Sequence, residues 1–99
     1  MAKRKIIWSD KAKVKLYEIL GFYIERNKSK TYSVKLNKKI FKDIKLIVKM
    51  PNIGIKTDLE SVRGLIVENF IIFYEYDSEK ITIHTIWDSR QNPDNLIIK

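Results

Sequence analysis

The stretch that decides the fold is "VRGLIVENFIIFYEY", residues 62–76. Two runs rich in β-branched and aromatic residues, the types that favour strands, lie on either side of Glu68 and Asn69. A two-residue connection between such runs is typical of a β-hairpin. A third run, "ITIHTIW" at 81–87, follows after the turn residues 77–80. Connections this short predict three neighbouring antiparallel strands.

The N-terminal half of the chain predicts a short strand and two helices. "KIIWS", residues 5–9, has strand character, and Ser9 or Asp10 can cap a helix that runs over residues 10–27. A second helix is predicted over residues 30–49. Apolar residues recur in both with the helical period: Ala12, Leu16, Ile19, Leu20, Tyr23 and Ile24 in the first, and Leu36, Ile40, Ile44, Ile47 and Val48 in the second. Each helix therefore has one face to bury.

The order of elements, β-α-α-β-β-β, predicts a two-layer α+β fold that forms a single domain over residues 1–99. Both helices must bury their apolar faces, and one side of an antiparallel sheet is the surface available to them. Residues 50–61 are predicted to form a loop, because Pro51 and Gly54 interrupt any regular pattern there.

Composition excludes several classes of protein and of site. The chain has no cysteine and one histidine, which excludes a disulfide framework, a thiolate metal site and a multi-histidine metal site within one chain. No apolar run approaches the roughly 18 residues of a membrane-spanning helix. The apolar residues after the basic "MAKRK" are too few for a signal peptide. We therefore expect a cytoplasmic protein with no metal, no cofactor and no membrane partner.

The net charge of +8 is concentrated in the first half of the chain. Residues 1–49 hold 15 Lys and Arg against 4 Asp and Glu, a net of +11, whereas residues 50–99 hold 5 against 8, a net of −3. One line of lysines on the second predicted helix, here named the lysine stripe, consists of Lys35, Lys38, Lys42, Lys45 and Lys49. The stripe spans roughly 21 Å. It indicates either a polyanionic partner or a solvated face whose lysine stems cover apolar surface.

The common catalytic and phosphate-binding motifs are missing from the sequence, so any chemistry must come from scattered polar residues. The candidates are Lys56, Arg63, Tyr74, His84, Asp88, Arg90 and Gln91. Strict alternation places His84 in the middle of a strand, on the same side as Thr82 and Ile86. Its imidazole could act as a general base. The alternative is a structural role, because the sequence shows no acidic residue that would orient the ring.

The two candidate arginines also have two interpretations each. Arg63 could hold a phosphate with its guanidinium, or it could form an ion pair with Glu60 or Asp88. Arg90 and Gln91 come directly after the last strand, where a short polar loop can reach a ligand. Alternatively, Arg90 pairs with Asp88 in a local turn.

In this order, four phrases of the sequence resemble the RelE/ParE superfamily of toxins from type II toxin–antitoxin modules. They are "IIWSDKAKVKLYEILGFYIERN", "KIFKDIKLIVKMPNIG", "VRGLIVENFIIFYEY" and "IHTIWDSRQNP", and the resemblance extends over nearly the whole chain. The resemblance implies a two-layer fold of the order given above and a growth-inhibiting toxin. It also implies a cognate antitoxin as partner, with promoter DNA bound only through the toxin–antitoxin complex.

The resemblance leaves two molecular targets open. Toxins of the RelE branch cut mRNA on the ribosome, whereas those of the ParE branch poison DNA gyrase. RelE-type nucleases use basic residues on the central strands and a proton-transfer group in the last segment. Arg63 and Arg90 match two of the basic positions, but Ile71 and Ile72 stand where an arginine is expected, and "NPDNLIIK" has no tyrosine or histidine. The pattern therefore favours the ParE branch.

Two alternatives remain at this stage. A metal-independent, ribosome-dependent endoribonuclease would use Arg63, His84 and Arg90 as catalytic residues. A basic nucleic-acid-binding module would use the lysine stripe. In any of these cases Lys56 and Gln91 join the lysine stripe as candidate residues for binding a target or nucleic acid.

Overall fold

The computed structural model describes residues 4–89, in which two helices cover one side of a five-stranded sheet. The elements are β1 (Lys5–Trp8), α1 (Asp10–Asn27), α2 (Thr31–Lys49), β2 (Ile55–Lys56), β3 (Val62–Val67), β4 (Phe70–Tyr76) and β5 (Lys80–Asp88). Across the sheet the strands follow the order β1-β5-β4-β3-β2. The predicted two-layer α+β architecture is confirmed.

The predicted hairpin and the two helices are confirmed almost to the residue. β3 and β4 pair antiparallel from Val62 opposite Glu75 to Val67 opposite Phe70, so Glu68 and Asn69 form the connection. Glu68 adopts a positive φ of 56°, as tight hairpin turns require.

The sheet differs from the prediction in two respects. β1 lies parallel to β5, with Lys5 opposite Lys80, so the sheet is mixed and not wholly antiparallel. Parallel pairing needs a long connection between the two strands. The two helices and the hairpin that separate β1 from β5 in the chain provide it. The short strand β2 also lies within the predicted loop, pairing with β3 at Gly64 and Arg63. Alternation within a strand does not specify the partner or its direction, so neither feature was visible in the sequence.

The core lies between the helices and the sheet. α2 contributes Leu36, Ile40, Ile44 and Ile47, which are at most 2 % exposed, and α1 contributes Ala12, Leu16 and Tyr23. Of the other predicted face residues, Ile19, Leu20 and Val48 pack partly buried against this core, whereas Ile24 is half-buried beside it. The predicted apolar faces are thus the ones that the helices bury.

Two serine side chains fix how the helices meet the rest of the fold. Ser9, not Asp10, caps α1, because its Oγ accepts a hydrogen bond from the backbone N–H of Ala12 at 3.0 Å. The same hydroxyl donates to the carbonyl of His84 at 2.8 Å, which ties the start of α1 to β5. Ser33 Oγ donates to the carbonyl of Leu20 at 2.8 Å and so joins the two helices.

A β-bulge interrupts β5 at His84. Phe73 of β4 lies opposite Thr85, but the next residue, Tyr74, lies opposite Ile83, so His84 is an extra residue. The bulge shifts the alternation. Ile83, on the N-terminal side of the bulge, faces the helices, and Ile86, on its C-terminal side, faces them too. The prediction that His84 shares a side with Ile86 is therefore wrong, because strict alternation does not continue through a bulge.

Neither helix within residues 4–89 has the length and hydrophobicity that crossing a membrane requires. The same residues contain no group of three or more histidine and acidic side chains arranged to hold a metal ion.

Candidate functional surfaces

Arg63 lies on the helix-facing side of β3 and holds the loop that follows α2. Its Nη1 donates to the carbonyl of Gly54 at 2.8 Å and to that of Asn52 at 3.2 Å. The ion pairs considered as an alternative for Arg63, with Glu60 or with Asp88, are not formed within residues 4–89. Backbone carbonyls instead of carboxylates satisfy this guanidinium.

Tyr74, on the neighbouring strand β4, holds the same loop. Its hydroxyl accepts a hydrogen bond from the Gly54 N–H at 2.9 Å and donates to the Pro51 carbonyl at 2.7 Å, and the side chain is fully buried. Burial raises the pKa of this hydroxyl, while the Gly54 hydrogen bond and the Arg63 charge act in the opposite direction. A Cβ on residue 54 would lie 2.5 Å from the Tyr74 hydroxyl oxygen, so only glycine fits. We name Arg63, Tyr74 and the backbone they hold the loop clamp.

His84 lies on the outer face of the sheet, away from the helices. Its Nε2 lies 3.2 Å from Glu75 Oε1 on the neighbouring strand, and the His84 side chain is 19 % exposed. Glu75 is the acidic partner that the sequence did not reveal. It lies opposite Thr82, two residues before His84 on the same face of β5, so the imidazole reaches it diagonally across the two strands. The register of β4 on β5 was therefore the missing information.

The structure does not bring the candidate catalytic residues together. Arg63 faces the helices, whereas His84 faces away from them. Arg90 and Gln91 lie outside the described residues. The catalytic roles suggested for Arg63, His84 and Arg90 stay predictions.

The positions where a nuclease would keep an arginine carry no charge. Ile72 is fully buried in the core, and Ile71 packs on the outer face with Phe73, Val62 and Trp87. Neither side of β4 supplies a cation at this point.

The lysine stripe lies on the side of α2 opposite its buried face, and all five side chains are exposed, as predicted. The single acidic residue of α2, Asp43, pairs with Lys39 at 3.6 Å on the flank of the stripe. Lys56, the other candidate lysine, is exposed on β2 at the edge of the sheet. It lies opposite Arg63 of β3. The lysine stripe is thus a row of five exposed positive side chains along α2.

Two concave surfaces flank α1. A groove of about 240 Å³ between the two helices is lined by Leu20, Ile24, Lys30, Ser33, Val34, Asn37 and Lys38. We name it the inter-helix groove. A second cavity, of about 250 Å³, lies between α1 and the β4–β5 end of the sheet, where Lys15, Glu18 and Asp88 give it a charged rim. The inter-helix groove is the more apolar of the two.

Comparison with known proteins decides the family. Residues 6–93 match the model of the ParE toxin of type II toxin–antitoxin systems, parDE. The chain belongs to the ParE toxin family. The RelE/ParE resemblance seen in the sequence is confirmed, and the match supports its ParE branch over its RelE branch. This ParE-family chain is therefore a toxin of a type II toxin–antitoxin system.

A solved structure shares the fold. A chain of the chromosomal ParDE TA system from P. aeruginosa superposes with a TM-score of 0.75 at 21% sequence identity, covering 87% of this chain and 96% of that one. At this identity the likeness concerns the fold. No curated protein matches the sequence.

Proposed function

We propose that this toxin inhibits growth by poisoning DNA gyrase in the cytoplasm and does not cut RNA. The observation that carries the proposal is the separation of Arg63 from His84 on opposite faces of the sheet. The family match adds to it, because the ParE branch is the one associated with gyrase.

The chemistry of RNA cleavage explains why this separation matters. Attack by a 2′-hydroxyl needs a base, cations for the developing charge and a proton donor, all within reach of one phosphate. In this chain the Arg63 guanidinium is occupied by loop carbonyls, and the His84 ring is held by Glu75. A phosphate in contact with one of these side chains is shielded from the other by the sheet. This arrangement supports a toxin that acts by binding.

The proposal is tested by two assays on the same protein. A DNA supercoiling assay with purified gyrase is expected to show inhibition by the full chain. Primer extension on mRNA from cells that express it is expected to show intact transcripts. His84→Ala and Arg90→Ala should leave both results unchanged. Cuts at fixed codon positions that vanish in these two variants would replace the proposal with ribosome-dependent RNA cleavage.

The proposed partner is a cognate antitoxin whose acidic, amphipathic segment binds the inter-helix groove. Leu20, Ile24 and Val34 offer apolar surface there, and Lys30 and Lys38 give it a positive rim. Such a combination fits a helix with one apolar and one acidic face. Promoter DNA would then be bound by the toxin–antitoxin complex.

A pair of matched substitutions tests the groove. Val34 is 48% exposed inside the groove, and Val14 is 55% exposed on α1 outside it. Val34→Glu places a like charge against an acidic segment, so co-expressed antitoxin should no longer restore growth. Val14→Glu should still be rescued. Equal rescue of both variants would exclude the groove as the antitoxin site.

A further inference from the structure

We propose that the lysine stripe binds the phosphate backbone of duplex DNA directly. The toxin would then have its own sequence-independent affinity for DNA, in the absence of antitoxin. This inference goes beyond the proposed function, because it requires neither gyrase nor an antitoxin.

The stripe is a rigid, straight array. The opposite side of α2 is anchored in the core by Leu36, Ile40, Ile44 and Ile47, which are at most 2 % exposed. The five lysines therefore leave the helix from a fixed line of roughly 21 Å. At about 3.4 Å per base pair, this length matches about 6 base pairs of duplex.

The charge of the stripe is not neutralised by the protein. None of its five lysines takes part in an ion pair within residues 4–89. Asp43, the acid of α2, is engaged by Lys39 on the flank. Like charges three and four residues apart on a helix repel each other. A polyanion laid along the stripe would relieve this repulsion.

The composition of the stripe favours nucleic acid over an acidic protein. Positions 35, 38, 42, 45 and 49 are all lysine, so no apolar side chain interrupts the line. Exposed apolar residues of α2, Val34 and Leu46 among them, lie to either side of it. Protein partners usually gain most of their affinity from a buried apolar or aromatic centre. Phosphates need only the cations, because binding releases their condensed counterions.

The aromatic residues of α2 favour a duplex over a single strand. Single-stranded nucleic acid is typically bound by stacking its bases on exposed aromatic rings. The Phe41 ring packs at 5.5 Å from Trp8, and the Tyr32 ring packs at 4.7 Å from Tyr23. Tyr32 is half-buried, and Phe41, although 40% exposed, keeps its ring against Trp8. No aromatic residue belongs to the stripe itself, which offers charge alone.

The test is the salt dependence of binding between the full chain and a 20-base-pair duplex of arbitrary sequence, followed by fluorescence anisotropy. Five lysine–phosphate contacts predict a slope of log K against log salt near −4.5, which is about a 500-fold loss of affinity between 50 and 200 mM. Lys35→Gln with Lys42→Gln removes two contacts from the stripe. The slope should then fall to about −2.7 and the loss to about 40-fold.

A matched double variant controls for net charge. Lys39→Gln with Lys80→Gln removes two positive charges that lie in ion pairs with Asp43 and Asp77. These two lysines lie off the stripe, so the slope should stay close to that of the parent. Circular dichroism and thermal unfolding establish that both double variants are folded.

Several results would overturn the inference. One is a parental slope shallower than about −2, and another is an equal change in both double variants. Tighter binding of single-stranded DNA would do the same, and so would tighter binding of poly-glutamate at equal charge concentration. Gyrase inhibition is read out separately, so this inference and the proposed function fail independently of each other.

Discussion

Replacing Tyr74 with phenylalanine should expose how much stability the Tyr74 hydroxyl adds through the loop clamp. The change removes one oxygen and leaves the ring in place, so the core keeps its packing. It leaves the N–H of Gly54 and the carbonyl of Pro51 without the partners they now have at 2.9 and 2.7 Å. A buried polar group that loses its partner costs about 1–3 kcal/mol. Because the Pro51 contact is only partly buried, we expect Tyr74→Phe to lower the free energy of unfolding by about 2–3 kcal/mol.

The measurement is unfolding by heat and by urea. In a domain of this size a loss of 2–3 kcal/mol lowers Tm by about 10–20 °C. The urea m-value should not change, because the fold and the surface exposed on unfolding stay the same. Tyr17→Phe is the matched control. It removes the same hydroxyl from a side chain that is 72% exposed and should be nearly neutral. A change below about 0.5 kcal/mol in Tyr74→Phe would refute the reasoning, since the Tyr74 hydroxyl would then add nothing to stability.

The stability difference between the parent and Tyr74→Phe should depend on pH in the alkaline range. Burial raises the pKa of Tyr74 in the folded protein above its ordinary value of about 10. Above that pH the unfolded chain releases this proton while the folded protein still holds it, so the parent loses stability as pH rises. Below pH 10 or so the contribution is fully present. Tyr74→Phe lacks this proton, so its stability should approach that of the parent as pH rises beyond about 10. If the free energies of unfolding of the parent and of Tyr74→Phe fall in parallel as pH rises, the raised pKa of Tyr74 is contradicted.

Two further predictions concern the core and a turn. Ile44→Ala empties a fully buried site on α2 and should cost about 2–5 kcal/mol in urea unfolding, whereas Leu46→Ala, at a position 43% exposed, should cost far less. Similar losses for both would mean that α2 is not packed as described. The backbone N–H groups of Glu79 and Lys80 hold the pKa of Asp77 below its usual range. The stabilising effect of Asp77 is therefore present above its ordinary pKa and is lost as pH falls through the lowered one, so Asp77→Asn should flatten this part of the acid unfolding curve. An Asp77 pKa at the ordinary value, measured by NMR titration, would contradict it.

The candidate site shows where sequence reasoning stopped. Period-two alternation holds along β3, where Arg63 shares the helix-facing side with Leu65 and Val67. It failed just beyond His84, where one extra residue reverses the alternation. The contact of Glu75 with the imidazole depends on the register of β4 on β5, which alternation does not give. A bulge leaves no reliable mark in a single sequence, since any residue type can occupy it. The loop clamp was equally hidden, because it joins Tyr74 and Arg63 to backbone atoms of residues 51–54 that lie far away in the chain.

The sequence by itself determined the helices, the hairpin, the apolar faces and the family, because these follow from local periodicity, turn residues and the order of elements. It also determined the lysine stripe, since a helical repeat places those side chains in line whatever the helix packs against. Only the tertiary structure decided that β1 is parallel to β5, that the loop after α2 contains β2, and that Arg63 and His84 lie on opposite faces. These features depend on which distant segments pair and in what register. The energy of such pairing comes from contacts between residues far apart in the chain, which no local pattern records.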